Sequence, residues 1–294
     1  MQLNKLKTWI NASRPKTLWA AIAPVIIGTA MAYSDGKMHL LAGLVALAAA
    51  ILIQIGTNFA NDYFDFINGI DNKDRLGPVR ATESGLISPG TMKRAFIIVF
   101  LTAFLIGLYL IWRGGWPVLI IGMLSILFGI LYTSGPYPLG YYGFGDIFVL
   151  VFFGPVAVGG TYYVQALDIT VPVVIAGLSP GLISMALLTV NNLRDIYTDK
   201  KAGKKTLAVR FGEFFTRIEY LVALLVACSV PLILIFIDSD HPYSLAAVSV
   251  FLFALPSIKA VLFNDIGSGL NLVLTRTGII LLVYSLVFSL GWIV

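Results

Sequence analysis

Nine apolar runs constrain this chain more than any other feature. They fall at 17–34, 39–60, 95–112, 116–133, 145–164, 171–190, 214–237, 243–263 and 275–293. A run of about 20 apolar residues crosses a bilayer as a helix. In lipid the backbone must satisfy its own polar groups, so such runs cannot be irregular. Only 12% of the residues are charged and the mean hydropathy is +0.89, against about a quarter charged in soluble domains. The expected fold class is therefore all-α: one polytopic integral-membrane domain over 1–294, with nine transmembrane helices. Cys228, the single cysteine, sits inside an apolar run and supports no disulfide framework.

Basic residues set the orientation, because Lys and Arg collect on the cytoplasmic side. With the N-terminus inside, all of the 20 Lys and Arg residues except Lys37 and Arg113 lie on inside segments or at their edges. Nine spans then leave the C-terminus outside. The net charge of +5 reads as topology in a cell membrane, with the lipid bilayer as partner and no nucleic acid.

Two polar stretches interrupt the oily sequence, both at the inside ends of spans. The first runs from Asn58 through Asn61, Asp62 and Asp65 to Asp71. The second runs from Asn191 and Asn192 through Arg194 and Asp195 to Asp199. Asn61 and Asp65 are four apart, as are Asn191, Asp195 and Asp199, so each set shares a helix face. Acids beside membrane spans are expensive and are functional candidates by default. If the two acid-lined helix ends oppose each other, they form one cluster of carboxylates. Mg²⁺ binds carboxylate oxygens and shares them with a substrate's phosphates, and Asn adds a neutral oxygen ligand. The candidate metal ligands are Asn61, Asp62, Asp65, Asp71, Asn191, Asp195 and Asp199. The pattern points to a membrane enzyme that handles a diphosphate. The repeat of Asn-x-x-x-Asp at spans two and six hints at duplicated four-helix halves plus one helix.

Cations accompany the acids. Arg80 follows the first motif, Lys204 and Lys205 follow the second, and Arg14 and Lys16 stand at the mouth of span one. Together with a metal, such cations neutralise a diphosphate and its developing charge. A third inside loop, Tyr132 to Asp146, is dense in Gly, Pro and Tyr. Its Tyr132 and Tyr141 offer ring faces to a cation, and Asp146 opens the next span as a candidate cap or site residue. A secondary transporter is the rival from another class. It would place its ion site near the midplane, whereas these acids sit at helix ends beside long inside loops.

At these residues the chain resembles the UbiA superfamily of intramembrane aromatic prenyltransferases. Asn61, Asp62 and Asp65 match its N-D-x-x-D-x-x-x-D motif, but the ninth position is Gly69 and the next acid is Asp71. That departure, the D-R-x-G-P-x-R run ending at Arg80, and the N-N-x-R-D and G-K-x-T-L-A-V-R-x-G runs between Asn191 and Gly212 fit the branch that serves menaquinone synthesis. The resemblance implies nine helices around a central cavity. It also implies Mg²⁺-dependent transfer of a polyprenyl group from polyprenyl diphosphate to an aromatic acceptor, 1,4-dihydroxy-2-naphthoate, with loss of CO₂ and diphosphate. A related acceptor such as 4-hydroxybenzoate is the alternative. On this reading Asp62, Asp65, Asp195 and Asp199 are catalytic. The substrates meet Arg14, Lys16, Asn58, Asn61, Arg80, Tyr132, Tyr141, Asp146, Asn191, Asn192, Arg194, Lys204 and Lys205. Lys16 is expected to face the diphosphate. Arg80 or Arg14, with a planar fork suited to a carboxylate, is expected to face the acceptor.

Overall fold

The structure, a computed structural model, describes residues 2–70 and 76–294. Among these, all regular structure is helical. The α-helices are α1 (Gln2–Ala12), α2 (Trp19–Ser34), α3 (Leu40–Ile67), α4 (Pro89–Gly114), α5 (Trp116–Leu131), α6 (Gly145–Val151), α7 (Ala157–Ala166), α8 (Val171–Ala176), α9 (Leu178–Arg194), α10 (Ile196–Lys201), α11 (Leu207–Ile237), α12 (Val250–Phe263) and α13 (Leu270–Ile293). Their starts follow ordinary capping chemistry. Ser88 and Thr206 accept from the backbone N–H three residues on at α4 and α11, and Pro89 opens α4.

Among the described residues, seven helical segments are long and apolar enough to cross a membrane, and an eighth arises if α1 and α2 count as one span bent by 53°. The count of nine is thus not reached by length alone. The difference lies at α5, a shorter apolar helix of 16 residues, about 24 Å at the helical rise against a hydrocarbon core of about 30 Å. The fifth and sixth expected spans are each built of pieces. α6 and α7 join through a π-turn at Phe152–Val156 where Pro155 interrupts the ladder, and α8 continues into α9.

Two buried cores organise the bundle. The larger packs α2, α9, α11, α12 and α13, with Tyr162 of α7 and Val173 of α8 joining it. The smaller packs Phe59 and Ala60 of α3 against Phe96 and Phe100 of α4, with Ala12 of α1 and Ile87 of the loop that joins α3 to α4. Lipid gives no hydrophobic drive between spans, so close approach and polar ties hold them. Tyr284 donates to Ser179 Oγ at 2.8 Å, and Ser179 to the Ala227 carbonyl at 2.9 Å. A side chain at Gly154 would meet the Gly177 carbonyl at 2.6 Å, so only glycine allows that crossing. Where the two cores face each other, a cavity opens, walled also by α5, α6 and α7.

Candidate active site

The cavity has a volume of about 430 Å³. At the end that carries both acidic motifs its wall is polar; below, Ala, Gly, Leu, Ile and Phe residues of α3, α4, α5 and α7 predominate, with Gln54, Thr57, Ser125, Thr161 and Ser184 among them. Along α3 the lining runs from Ala46 to Asp65, about 28 Å of helix axis, close to the depth of a bilayer core. α3 stays helical through the whole first motif to Ile67, which brings Asn58, Asn61 and Asp65 onto one face. α9 ends at Arg194 and Asp195 is the joint with α10 (φ −96°, ψ 7°). The Asp199 amide still donates to the Asp195 carbonyl at 2.8 Å, so the chain keeps a helical course and Asn191, Asp195 and Asp199 all reach the wall.

Each carboxylate is held. Asp65 accepts from Arg80 Nη2 at 2.5 Å and from the Tyr141 hydroxyl at 2.5 Å. Asp195 accepts from Arg194 Nε at 2.8 Å and Nη2 at 2.5 Å. Asp199 pairs with Lys204 Nζ at 3.2 Å, and that ammonium lies 4.9 Å from the Tyr141 ring centroid. The Asn side chains are placed too. Asn61 accepts from Thr133 Oγ1 at 2.9 Å, and Asn58 donates to the Ser13 carbonyl at 2.9 Å. Arg14 reaches the wall from a left-handed backbone, φ 51° and ψ 68°. Such a conformation is uncommon for a non-glycine residue, and the following Pro15 disfavours the right-handed helical alternative. The third loop meets the second motif where Gly143, at φ +79°, leaves room for the Lys205 carbonyl, 3.1 Å from where a Cβ would stand.

Twelve of the residues singled out from the sequence line this one cavity: Arg14, Asn58, Asn61, Asp65, Arg80, Tyr132, Tyr141, Asn191, Asn192, Asp195, Asp199 and Lys204. Five others do not. Asp62 points the other way, one residue and about 100° round the helix from Asn61. Its two oxygens accept from the backbone N–H groups of Ala81 and Thr82, each at 3.0 Å. Arg194 is 1% exposed and lies behind Asp195, also donating to Asn191 and Asn271. Asp146 is buried beside the wall rather than on it, one carboxyl oxygen lacking a partner. Lys16 and Lys205 are exposed to solvent. Asp71 lies outside the described residues.

The expected single cluster of carboxylates takes a different form. Among the described residues, no three or more Asp, Glu, His or Cys side chains stand close enough together to hold a metal by themselves. Arg80, Arg194 and Lys204 draw the acids back to their own sides. The donor set is nonetheless all hard oxygen. Mg²⁺ is ordinarily held by one or two carboxylates together with substrate phosphates rather than by a protein cage, so the residues present fit that ion. Sequence reasoning missed the residues that hold these groups: Thr133, Asn271, and the backbone at Ala81 and Thr82.

A polar cup of acids and cations over a bilayer-deep apolar cavity defines a membrane enzyme for an amphiphile with a charged head and a greasy tail. Residues 21–272 match the UbiA prenyltransferase family, and the chain belongs to that family. It is 42% identical to the 1,4-dihydroxy-2-naphthoate octaprenyltransferase of Escherichia coli over 82% of this chain and 80% of that protein. With the protein of the same name from Haemophilus influenzae it shares 37% identity over 99% and 97%. Its fold is similar to that of a UbiA homolog from Archaeoglobus fulgidus bound to DMAPP and Mg²⁺, with a TM-score of 0.70, 13% identity, and 97% and 99% of the two chains covered.

Proposed function

We propose that this protein transfers a polyprenyl group from polyprenyl diphosphate to 1,4-dihydroxy-2-naphthoate, releasing CO₂ and diphosphate and giving demethylmenaquinol, the reduced form of demethylmenaquinone. The observation that carries this reading is the union of the two parts of the cavity. Asp65, Asp195 and Asp199 stand among the cations Arg14, Arg80 and Lys204, directly above an apolar space as deep as the bilayer. The names of the relatives supply the acceptor.

The allylic C–O bond breaks and its electron pair leaves with the diphosphate. Ring electrons of the acceptor form the new C–C bond, and the ring carboxylate departs as CO₂, its bonding pair returning to the ring. Arg14, Arg80 and Lys204 bind the two anions, with Arg80 or Arg14 the fork for the acceptor's carboxylate. Tyr132 and Tyr141 present ring faces where positive charge develops. The apolar wall holds the tail and excludes water. Asp65, Asp195 and Asp199, with Asn61 and Asn191, would hold Mg²⁺, which when bound offsets the charge of the leaving diphosphate. Asp62 serves this site at one remove, by fixing the loop that carries Arg80.

The chain works as one integral-membrane domain over 1–294, with α5 as a ninth, short span. The cup is cytoplasmic, the N-terminus inside and the C-terminus outside. A reporter fused to the C-terminus and active only in the cytoplasm overturns this topology. The function is tested by the product mass obtained from purified protein, Mg²⁺, a series of prenyl diphosphates, and either naphthoate or 4-hydroxybenzoate as acceptor. Prenylated, decarboxylated naphthoate is expected; product from 4-hydroxybenzoate alone overturns the assignment.

A further inference from the structure

Far below the acids the cavity wall is cut back on three sides. Gly107 of α4, Gly122 of α5 and Gly160 of α7 all line the cavity, as do the residues three and four positions to either side of each. Each glycine is therefore the midpoint of its helix's cavity-facing stripe. Among the described residues, nothing lies within 4 Å of where a Cβ would stand on any of the three. Other glycines of the same helices are explained by packing. A Cβ on Gly114 of α4 would meet Val118 at 2.6 Å, and one on Gly129 of α5 would meet Thr57 at 2.5 Å, the close approach that small residues permit between membrane helices. Gly107, Gly122 and Gly160 have no such neighbour, and none has a positive φ. Glycine weakens a helix relative to alanine. What it leaves at these three positions is open space in the cavity.

The three stand at nearly one depth. Thr57 of α3, Phe100 of α4 and Gly129 of α5 meet at one level, Thr57 Oγ1 and Phe100 Cζ both lying within 3.7 Å of a Cβ built on Gly129. Thr57 is eight residues before Asp65, and Gly107 and Gly122 are each seven residues further from the acids than their partners at that level. They therefore sit about 22 Å below Asp65. Gly114 of α4 packs against Tyr163 of α7, so Gly160, three residues before Tyr163, lies about one turn lower still. On the way down, Ser184 of α9 faces the same space, about 16 Å from Asp195 along the helix. It is 2% exposed, and its hydroxyl has no hydrogen-bond partner among the described residues. Such a group is unfavourable unless an occupant of the cavity accepts from it, and a prenyl tail offers one double bond per unit as a weak π acceptor. An extended isoprene unit adds four chain carbons, about 5 Å at ordinary bond lengths. A tail whose diphosphate stands at the acids reaches the glycines with about its fourth unit.

We infer that Gly107, Gly122 and Gly160 form a passage in the tail channel that admits polyprenyl chains longer than about four units, and that they are the specificity determinants for long donors. This rests on the prenyl-transfer reading above. Shorter tails end before the passage. Longer ones thread it, the methyl-branched chain taking the space that side chains would otherwise fill. A larger residue there closes the passage. A side chain on α5 leans toward the helix N-terminus, which lies away from the acids, so Gly122 can be filled without touching the cup.

The test uses purified full-length protein with 1,4-dihydroxy-2-naphthoate and Mg²⁺. The kcat/KM of octaprenyl diphosphate, eight units long, is compared with that of geranyl diphosphate, two units long. In Gly122→Phe the octaprenyl-to-geranyl ratio is expected to fall about tenfold or more, the scale on which a hydrophobic pocket discriminates by size. Gly107→Phe should show the same pattern, and Gly122→Ala should shift the ratio in the same sense by less. Nothing occupies the place of the new side chains, so melting temperatures should stay at or above that of wild type, and geranyl transfer reports an intact cup. An unchanged ratio in both Phe variants, or equal losses for the two donors at wild-type melting temperature, overturns the passage while leaving the functional reading standing. A wild-type enzyme that prenylates naphthoate with neither donor sinks both.

Discussion

The two acidic motifs share a spacing and differ in how their carboxylates are restrained. Asp65 is held by Arg80, fifteen residues on in the chain, and by Tyr141 of the third loop. Both partners line the cavity. Asp195 is held by its own neighbour Arg194, whose other bonds run to Asn191 on the wall and to Asn271 behind it. The first motif thus presents its counter-ion to whatever enters the cavity, and the second hides its counter-ion within the bundle. Arg80 is positioned to exchange Asp65 for an incoming anion. Arg194 is positioned to keep Asp195 oriented while substrates come and go. Equal sequence offsets have yielded one adaptable side and one rigid side.

The largest expected effects test what the sides share. Asp65→Ala and Asp195→Ala should each lower turnover about a thousandfold or more, since each removes a ligand for the ion that the departing diphosphate requires. Near-normal turnover in either variant at saturating Mg²⁺ removes that side from the metal site. The next effect separates them. Arg194→Ala leaves a buried carboxylate unpaired and should cost about 3–5 kcal/mol of stability, read as a lower melting temperature. Arg80→Lys keeps the charge but loses the fork. It should leave the melting temperature near wild type and raise the acceptor's KM more than that of the diphosphate. If Arg80→Lys and Arg194→Ala lower the melting temperature alike, the contrast between the sides is wrong.

Much of this was legible in the sequence because membrane folds are written in hydropathy and charge. The long apolar runs located the spans, and the spacings of Asn61 with Asp65 and of Asn191 with Asp195 and Asp199 placed them on facing walls. Adjacency misled where helical rotation matters. Asp62 and Arg194 sit one residue from cavity-facing neighbours, yet each is turned away and spent on structure. Asn271 bears on the second motif from α13 and left no local signal, because its link to Arg194 is purely tertiary. The count of spans was the least secure, since a 16-residue helix such as α5 falls short by length while its hydropathy resembles that of its neighbours.

A smaller effect sharpens the reading of the first motif from within. Asp62 and Asp65 are one turn apart, one fixing a loop and the other facing the cavity. Asp62→Ala strands the Ala81 and Thr82 amides and should cost about 1–3 kcal/mol in stability, with activity reduced in step as Arg80 loses its mount. Asp65→Ala should abolish activity outright and, by stranding the buried Arg80 guanidinium, cost stability as well. A variant at Asp62 with full stability and no turnover would return that residue to the metal site.

The smallest expected effect comes from the opposite face, where an exposed ion pair serves as the reference for the enclosed ones. Lys37 bonds Asp168 at 3.1 Å, with side chains 42% and 56% exposed. The hydrogen bond from Lys37, joined by one from the Ile169 amide and by the ammonium's charge, holds the Asp168 carboxyl below its ordinary value of 3.8. A depressed carboxyl contributes stability that is present above the unfolded value and is lost as pH falls through the folded one. At neutral pH that contribution is fully in place, but solvent and salt screen it. Lys37→Met should therefore leave the melting temperature at pH 7 indistinguishable from wild type in ordinary salt, while the Asp168 titration midpoint rises toward the ordinary carboxylate value. A loss of several degrees at pH 7 would show that exposed pairs matter to this bundle as much as the enclosed Arg194–Asp195 pair. The difference drawn between the two motifs could not then rest on burial.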